Sequence, residues 1–108
     1  MNFLKTALDK NIYNILSPTL TKVIAAVRTD ILKKANEIRL RVNKPLLLVV
    51  GNTDYMVTDK GWLVDDWRQA YICTIDDIQR TFQLISKNSL YALEQELRMG
   101  YVTISGGH

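Results

Sequence analysis

The chain has 108 residues and a mass of 12.4 kDa, about the size at which compact domains cluster, so one core is expected rather than two. With 47% apolar and 23% charged residues, its composition excludes the disordered and fibrous classes. No apolar run approaches the roughly 20 residues of a membrane-spanning helix. The opening Met1-Asn2-Phe3-Leu4-Lys5 lacks the basic segment, apolar stretch and small-residue cleavage site of an export signal, so the cytoplasm is the expected compartment.

The spacing of Phe3, Leu4, Ala7, Leu8, Ile12, Ile15 and Leu16 predicts an amphipathic helix over residues 2–16. Ser17-Pro18 restarts the chain as an N-cap followed by a first-turn proline, and Leu20, Val23, Ile24 and Val27 supply the apolar face of a second helix to about Arg28. Thr29-Asp30 opens a short third helix ending near Asn36. The period then changes from 3.6 to 2: Ile38, Leu40 and Val42 alternate with Glu37, Arg39 and Arg41 in a half-buried strand whose arginines face away from the core. Asn43-Lys44-Pro45 turns into Leu46-Leu47-Leu48-Val49-Val50, a central strand covered on both faces. Tyr55-Met56-Val57 and Trp62-Leu63-Val64, joined through Asp59-Lys60-Gly61, form a hairpin whose glycine supplies a positive φ.

Tyr71-Ile72-Cys73 adds a brief extended piece before Thr74 caps a helix with Asp76 and Asp77 at its positive end. Ile75, Ile78, Phe82 and Ile85 make its buried stripe. Lys87-Asn88-Ser89 breaks it, and Leu90, Leu93 and Leu97 define a further short helix ending at Met99-Gly100. Tyr101 to Ile104 read as a strand, and Gly106-Gly107 as half of a hairpin whose returning arm is missing. That strand is therefore expected to lack a local partner and the chain to be a piece of a longer one. The fold class expected is α+β: a helical segment over 1–36, then a mixed or antiparallel sheet with helices packed on it over 37–108, together one non-catalytic domain.

The chemistry-bearing residues are few. Cys73 is the single cysteine and His108 the single histidine, which removes disulfides and nitrogen- or thiolate-rich metal sites. Cys73 reads as a small buried strand residue. Asp76 and Asp77 read as helix electrostatics rather than a catalytic acid pair, and Asp65 and Asp66 as solvated loop acids beside Trp62 and Trp67. There is no phosphate loop, dinucleotide fingerprint, nucleophile elbow or His-Glu-x-x-His. Net charge, +3 overall, is uneven: residues 1–44 carry nine Lys/Arg against three Asp/Glu, and residues 45–108 five against eight. The split suits a nucleic-acid or membrane-facing surface, or two faces that meet oppositely charged neighbours. A small basic nucleic-acid-binding module is the alternative reading, but basic residues without aromatic interleaving lack a base-stacking platform, and no nucleic acid is expected. A membrane-surface adaptor built on the first helix is weaker still, because Lys5, Asp9 and Lys10 are few and mixed in sign.

Two segments carry a family likeness. Glu37-Ile38-Arg39-Leu40-Arg41-Val42-Asn43-Lys44-Pro45-Leu46 and the run from Ser89-Leu90-Tyr91 through Gly100-Tyr101-Val102-Thr103-Ile104-Ser105-Gly106-Gly107-His108 resemble the amino-terminal region of the stage III sporulation protein AA family. That family is itself similar to the type II and type IV secretion and pilus-motor ATPases. The resemblance implies a PAS-like amino-terminal domain, with the ATPase domain and its phosphate loop beyond His108. The fragment would then hold no cofactor, while ATP and Mg2+ are implied for the full-length parent. Implied partners are its own carboxy-terminal ATPase domain, neighbouring subunits of a ring hexamer, and membrane proteins of the channel between mother cell and forespore, approached from the mother-cell cytoplasm. Arg39 and Arg41 face outward as an ordinary solvated or interface face; as the candidate interface residues they would pair bidentately with carboxylates of a neighbouring subunit or with phosphate.

Overall fold

A computed structural model describes residues 10–87, 90, 95, 96, 98, 99 and 101–105. Lys10–Asn14 forms a 3-10 turn, followed by α1 (Pro18–Ala25), α2 (Thr29–Leu32), β1 (Ala35–Arg41), β2 (Leu47–Val50), β3 (Thr53–Val57) and β4 (Leu63–Val64). A second 3-10 turn, Trp67–Gln69, leads to α3 (Ile75–Lys87), and β5 (Tyr101–Ser105) comes last. The strands form one antiparallel sheet in the order β4-β3-β2-β1-β5. The class is α+β, as the change of period predicts.

Alternation decides which side of the sheet is covered. Ile38 and Leu40 of β1, Leu48 of β2 and Val57 of β3 are fully buried and join one cluster with Ile12, Leu16, Leu20, Val23, Ile24, Ile78 and Ile85. The helices therefore pack on a single face, in two layers. Ser17 caps α1 by accepting the Leu20 N–H at 3.1 Å, with Pro18 in the first turn where its missing N–H costs nothing. The β2–β3 hairpin turns on Gly51 at φ +64°, and Asn43, at φ +62°, takes the chain out of β1. Gly61, at φ +84° in the β3–β4 loop, lies against the Ala26 backbone where no side chain would fit. The extended piece at residues 71–73 is present as a bridge between Pro45 and Ile72, flanked by backbone bonds from Asn43 N to Cys73 O and from Cys73 N to Lys44 O.

Several expectations are corrected. The described end of the predicted 2–16 helix is a 3-10 turn, Lys10–Asn14, and Ser17 beyond it is extended at ψ 158°, as the residue before a proline favours; residues 2–9 lie outside the described residues. The third helix ends at Leu32, not Asn36, since the strand begins at Ala35, which pairs with Val50 ahead of a bulge. Tyr101–Ser105 agrees with the expectation of no local partner among the described residues: it pairs antiparallel with the distant β1, from Arg41↔Tyr101 to Glu37↔Ser105. Ile75 is 60% exposed rather than part of the α3 stripe. The buried face of α3 is centred on Asp77, Ile78, Thr81 and Ile85, about a quarter-turn away at 100° per residue. The predicted helix over 90–99 lies mostly outside the described residues, as does Gly106-Gly107-His108.

Candidate functional site

The two candidate arginines share one strand and one face of the sheet, the face that carries none of the described helices, but their situations differ. The Arg39 Nε donates to Glu37 Oε1 at 3.0 Å, and one of its terminal nitrogens reaches Asp54 Oδ2 at 3.4 Å. Register explains the reach. Glu37, Val49 and Asp54 occupy one cross-strand row on β1, β2 and β3, so the guanidinium joins the two carboxylates across β2. Val49 is only 4% exposed although it stands apart from the helix-facing core. On this side the ion-paired arginine spans the Val49 position while Leu47 is only half-buried, so the predicted two-sided cover of β2 is partial among the described residues. Arg41 is exposed and has no ion-pair partner among the described residues. Of the two, Arg41 is the one free to meet a partner.

Beside them runs an apolar row. Arg39 pairs with Leu47, Leu47 with Met56, and Met56 with Val64. All three apolar side chains are half-buried, and none belongs to the helix-facing core.

On the helix side, polar groups converge on Asp77, which is 2% exposed. Thr74 and Asp77 form a reciprocal capping box: the Asp77 N–H donates to Thr74 Oγ1 at 3.0 Å and the Thr74 N–H to Asp77 Oδ2 at 3.1 Å. The Tyr71 hydroxyl donates to the same Oδ2, and the Ser17 hydroxyl to Oδ1 at 3.2 Å. The Ser17 N–H closes the network on Thr81 Oγ1 at 3.1 Å. Burial, reinforced by the bond to Asp77, raises the Tyr71 hydroxyl pKa above its ordinary value. Every oxygen of this hub is engaged in holding elements together, which is a structural role. The reading of Asp76 and Asp77 divides accordingly: Asp76 is an exposed i,i+4 partner of Arg80, whereas Asp77 is a buried tie. Sequence reasoning missed the tie, and Thr74-x-x-Asp77 was the signal available for it.

The remaining candidates fall into place locally. Cys73 is fully buried, and burial pushes its thiol up to about 12, so it is the inert strand residue its neighbours imply. Asp66 caps the Trp67–Gln69 turn, and its hydrogen bonds from Arg68 hold its pKa below the usual value. Trp62 and Trp67 are exposed on either side of β4. Arg98 stacks 5.5 Å from the Phe82 ring centroid beside a groove of about 490 Å³ along α3. Among the described residues no three His, Cys, Asp or Glu side chains come together to hold a metal ion, and no helix is long and apolar enough to cross a membrane.

These features define a two-layer α+β domain that buries its polar hub and carries Arg41 beside an apolar row. Residues 7–108 match the family model described as "Sporulation stage III, protein AA", and the chain belongs to that family. It is 29% identical over 98 residues to the stage III sporulation protein AA of Bacillus subtilis (strain 168). That alignment takes in 90% of this chain and 28% of the relative, so the chain spans under a third of the relative's length. No solved structure matches it.

Proposed function

We propose that this chain is the regulatory and assembly domain of a secretion-type ATPase acting in the third stage of endospore formation. The supporting observation is family membership across residues 7–108 combined with coverage of only 28% of the relative, which leaves room for a motor domain in a family-length protein. In this reading the motor domain binds ATP and Mg2+ and assembles as a ring hexamer. The present domain, PAS-like in role and in shape, packs on the motor and transmits its movement to membrane proteins of the channel, from the mother-cell side. The residues of this chain do not themselves suit the nucleotide: glycines at 51 and 61 each serve a turn, and no Gly-x-x-x-x-Gly-Lys-Ser/Thr run occurs. No catalytic step is assigned to them. Arg41 is the residue offered to a neighbouring subunit, as a bidentate partner for a carboxylate.

The test sets the 108-residue chain beside the full-length product of the same gene, measuring ATP turnover and oligomeric mass. A long form that hydrolyses ATP as a ring, with an inert short form, supports the reading. A full-length product without ATPase activity overturns it. Short-form binding to DNA or RNA that weakens steeply with salt would favour the nucleic-acid module instead.

A further inference from the structure

The face of the sheet opposite the helices has a charge pattern that complements itself. Its rows follow from the register: an acidic row, Glu37-Val49-Asp54; a middle row, Arg39-Leu47-Met56-Val64; and, two residues further along β1, Arg41. Glu37 and Arg41 thus stand at opposite ends of one strand, about 13 Å apart at 3.3 Å per residue. A two-fold axis lying in the plane of this face along the middle row, perpendicular to the strands, exchanges the two ends while leaving the middle row in place. It sets Arg41 against Glu37 of a second copy, twice over, and lays Leu47, Met56 and Val64 against their own equivalents. The two Arg39 guanidinia do not collide, because each is drawn to its own acidic row by Glu37 and Asp54 at 3.0 and 3.4 Å. Isologous pairing requires a surface complementary to itself under a two-fold, and aligned packing of two sheets about 10 Å apart is an ordinary geometry for inner faces of this kind.

We propose that this face is a homodimer interface, with a second copy of the chain as its occupant, Leu47, Met56 and Val64 as its apolar centre and the Arg41–Glu37 pairs at its rim. A patch four strands wide at about 4.8 Å per strand is smaller than a standard interface, so the dimer is weak and concentration-dependent. The proposal does not depend on the motor reading.

Sedimentation equilibrium of the 108-residue chain over a wide concentration range tests it. The mass is expected to rise from 12.4 kDa toward twice that value, with association weakened by added salt. Arg41→Glu places like charges at both rims and is expected to weaken association by about tenfold or more. Exposed in the monomer, this substitution should leave the urea midpoint unchanged. Met56→Glu removes association from the centre. A chain that stays monomeric up to about 1 mM overturns the proposal and assigns the face to some other occupant. A dimer that survives both Arg41→Glu and Met56→Glu also overturns it.

Discussion

Ser17 donates its hydroxyl hydrogen to Asp77 Oδ1 at 3.2 Å while accepting the Leu20 N–H at 3.1 Å. One side chain therefore caps α1 and ties it to the first turn of α3, across 60 residues of sequence. The bond is buried at both ends, so its loss leaves a polar group with no water to replace the partner. Asp77→Ala strips acceptors from Ser17, Tyr71 and Thr74 together and is expected to cost about 3 kcal/mol. Ser17→Ala loses the cap and one of these donors, for about 1–2 kcal/mol. In urea unfolding the double variant is expected to be less destabilised than the sum of the two, because both substitutions remove the same bond. Strict additivity would show that the tie contributes nothing.

Gly61 joins the helical layer to the β3–β4 hairpin by close approach. A Cβ there would fall on the Ala26 carbonyl, and the backbone stands at φ +84°. Gly51 also has a positive φ, +64°, but faces open space. Gly51→Ala carries only the left-handed penalty, about 1 kcal/mol, whereas Gly61→Ala adds a clash with backbone that cannot rotate away and is expected to cost at least about 2 kcal/mol. Urea midpoints of the two variants separate these costs, and equal losses would contradict the close approach.

How much of this architecture could be read in advance depends on the range of the interaction. Ile38 and Leu40 alternating with Glu37, Arg39 and Arg41 are enough to fix which face of β1 is buried, and Ser17-Pro18 is enough to start α1, because both signals are local. The partner of Tyr101–Ser105 was not legible, since nothing near β5 points to a strand 60 and more residues earlier. The fate of Arg39 was hidden for the same reason: its capture requires β1 and β3 to flank β2 in a register that puts Glu37 and Asp54 in one row. Ile75 went astray because apolar spacing alone does not reveal that a buried aspartate turns the helix toward Ser17.

Titration of Cys73 gives alkaline pH a defined effect. In the unfolded chain the thiol ionises near its ordinary value of 9.0, and in the folded chain burial pushes it up to about 12. The folded state thus binds the proton more tightly, so this contribution to stability is complete below pH 9.0 and is lost as pH rises toward 12. Tyr71, raised by burial and by Asp77, acts in the same direction at higher pH. The urea midpoint is expected to fall above about pH 9, less steeply in Cys73→Ala. A thiol reagent at neutral pH should react only as fast as the chain opens, and rapid labelling of the folded protein would contradict the burial.

Arg39 and Arg41 are alike in residue, strand and face, yet they should respond differently to the same substitution. Removing Arg39 leaves Glu37 and Asp54 in one row without the cation between them and uncovers Val49. Because the arginine and Asp54 side chains are 41% and 46% exposed, solvent screens the pairing, and Arg39→Ala is expected to cost only about 0.5–1 kcal/mol, including the lost cover. Arg41→Ala removes no ion pair among the described residues and should leave stability within about 0.5 kcal/mol of the parent. A double-mutant cycle joining Arg39→Ala and Asp54→Ala isolates the bond across β2 from the loss of packing. A coupling that vanishes in high salt fits an exposed pair, and one that was absent even at low salt would mean that Arg39 is held by Glu37 alone and does not tie β1 to β3.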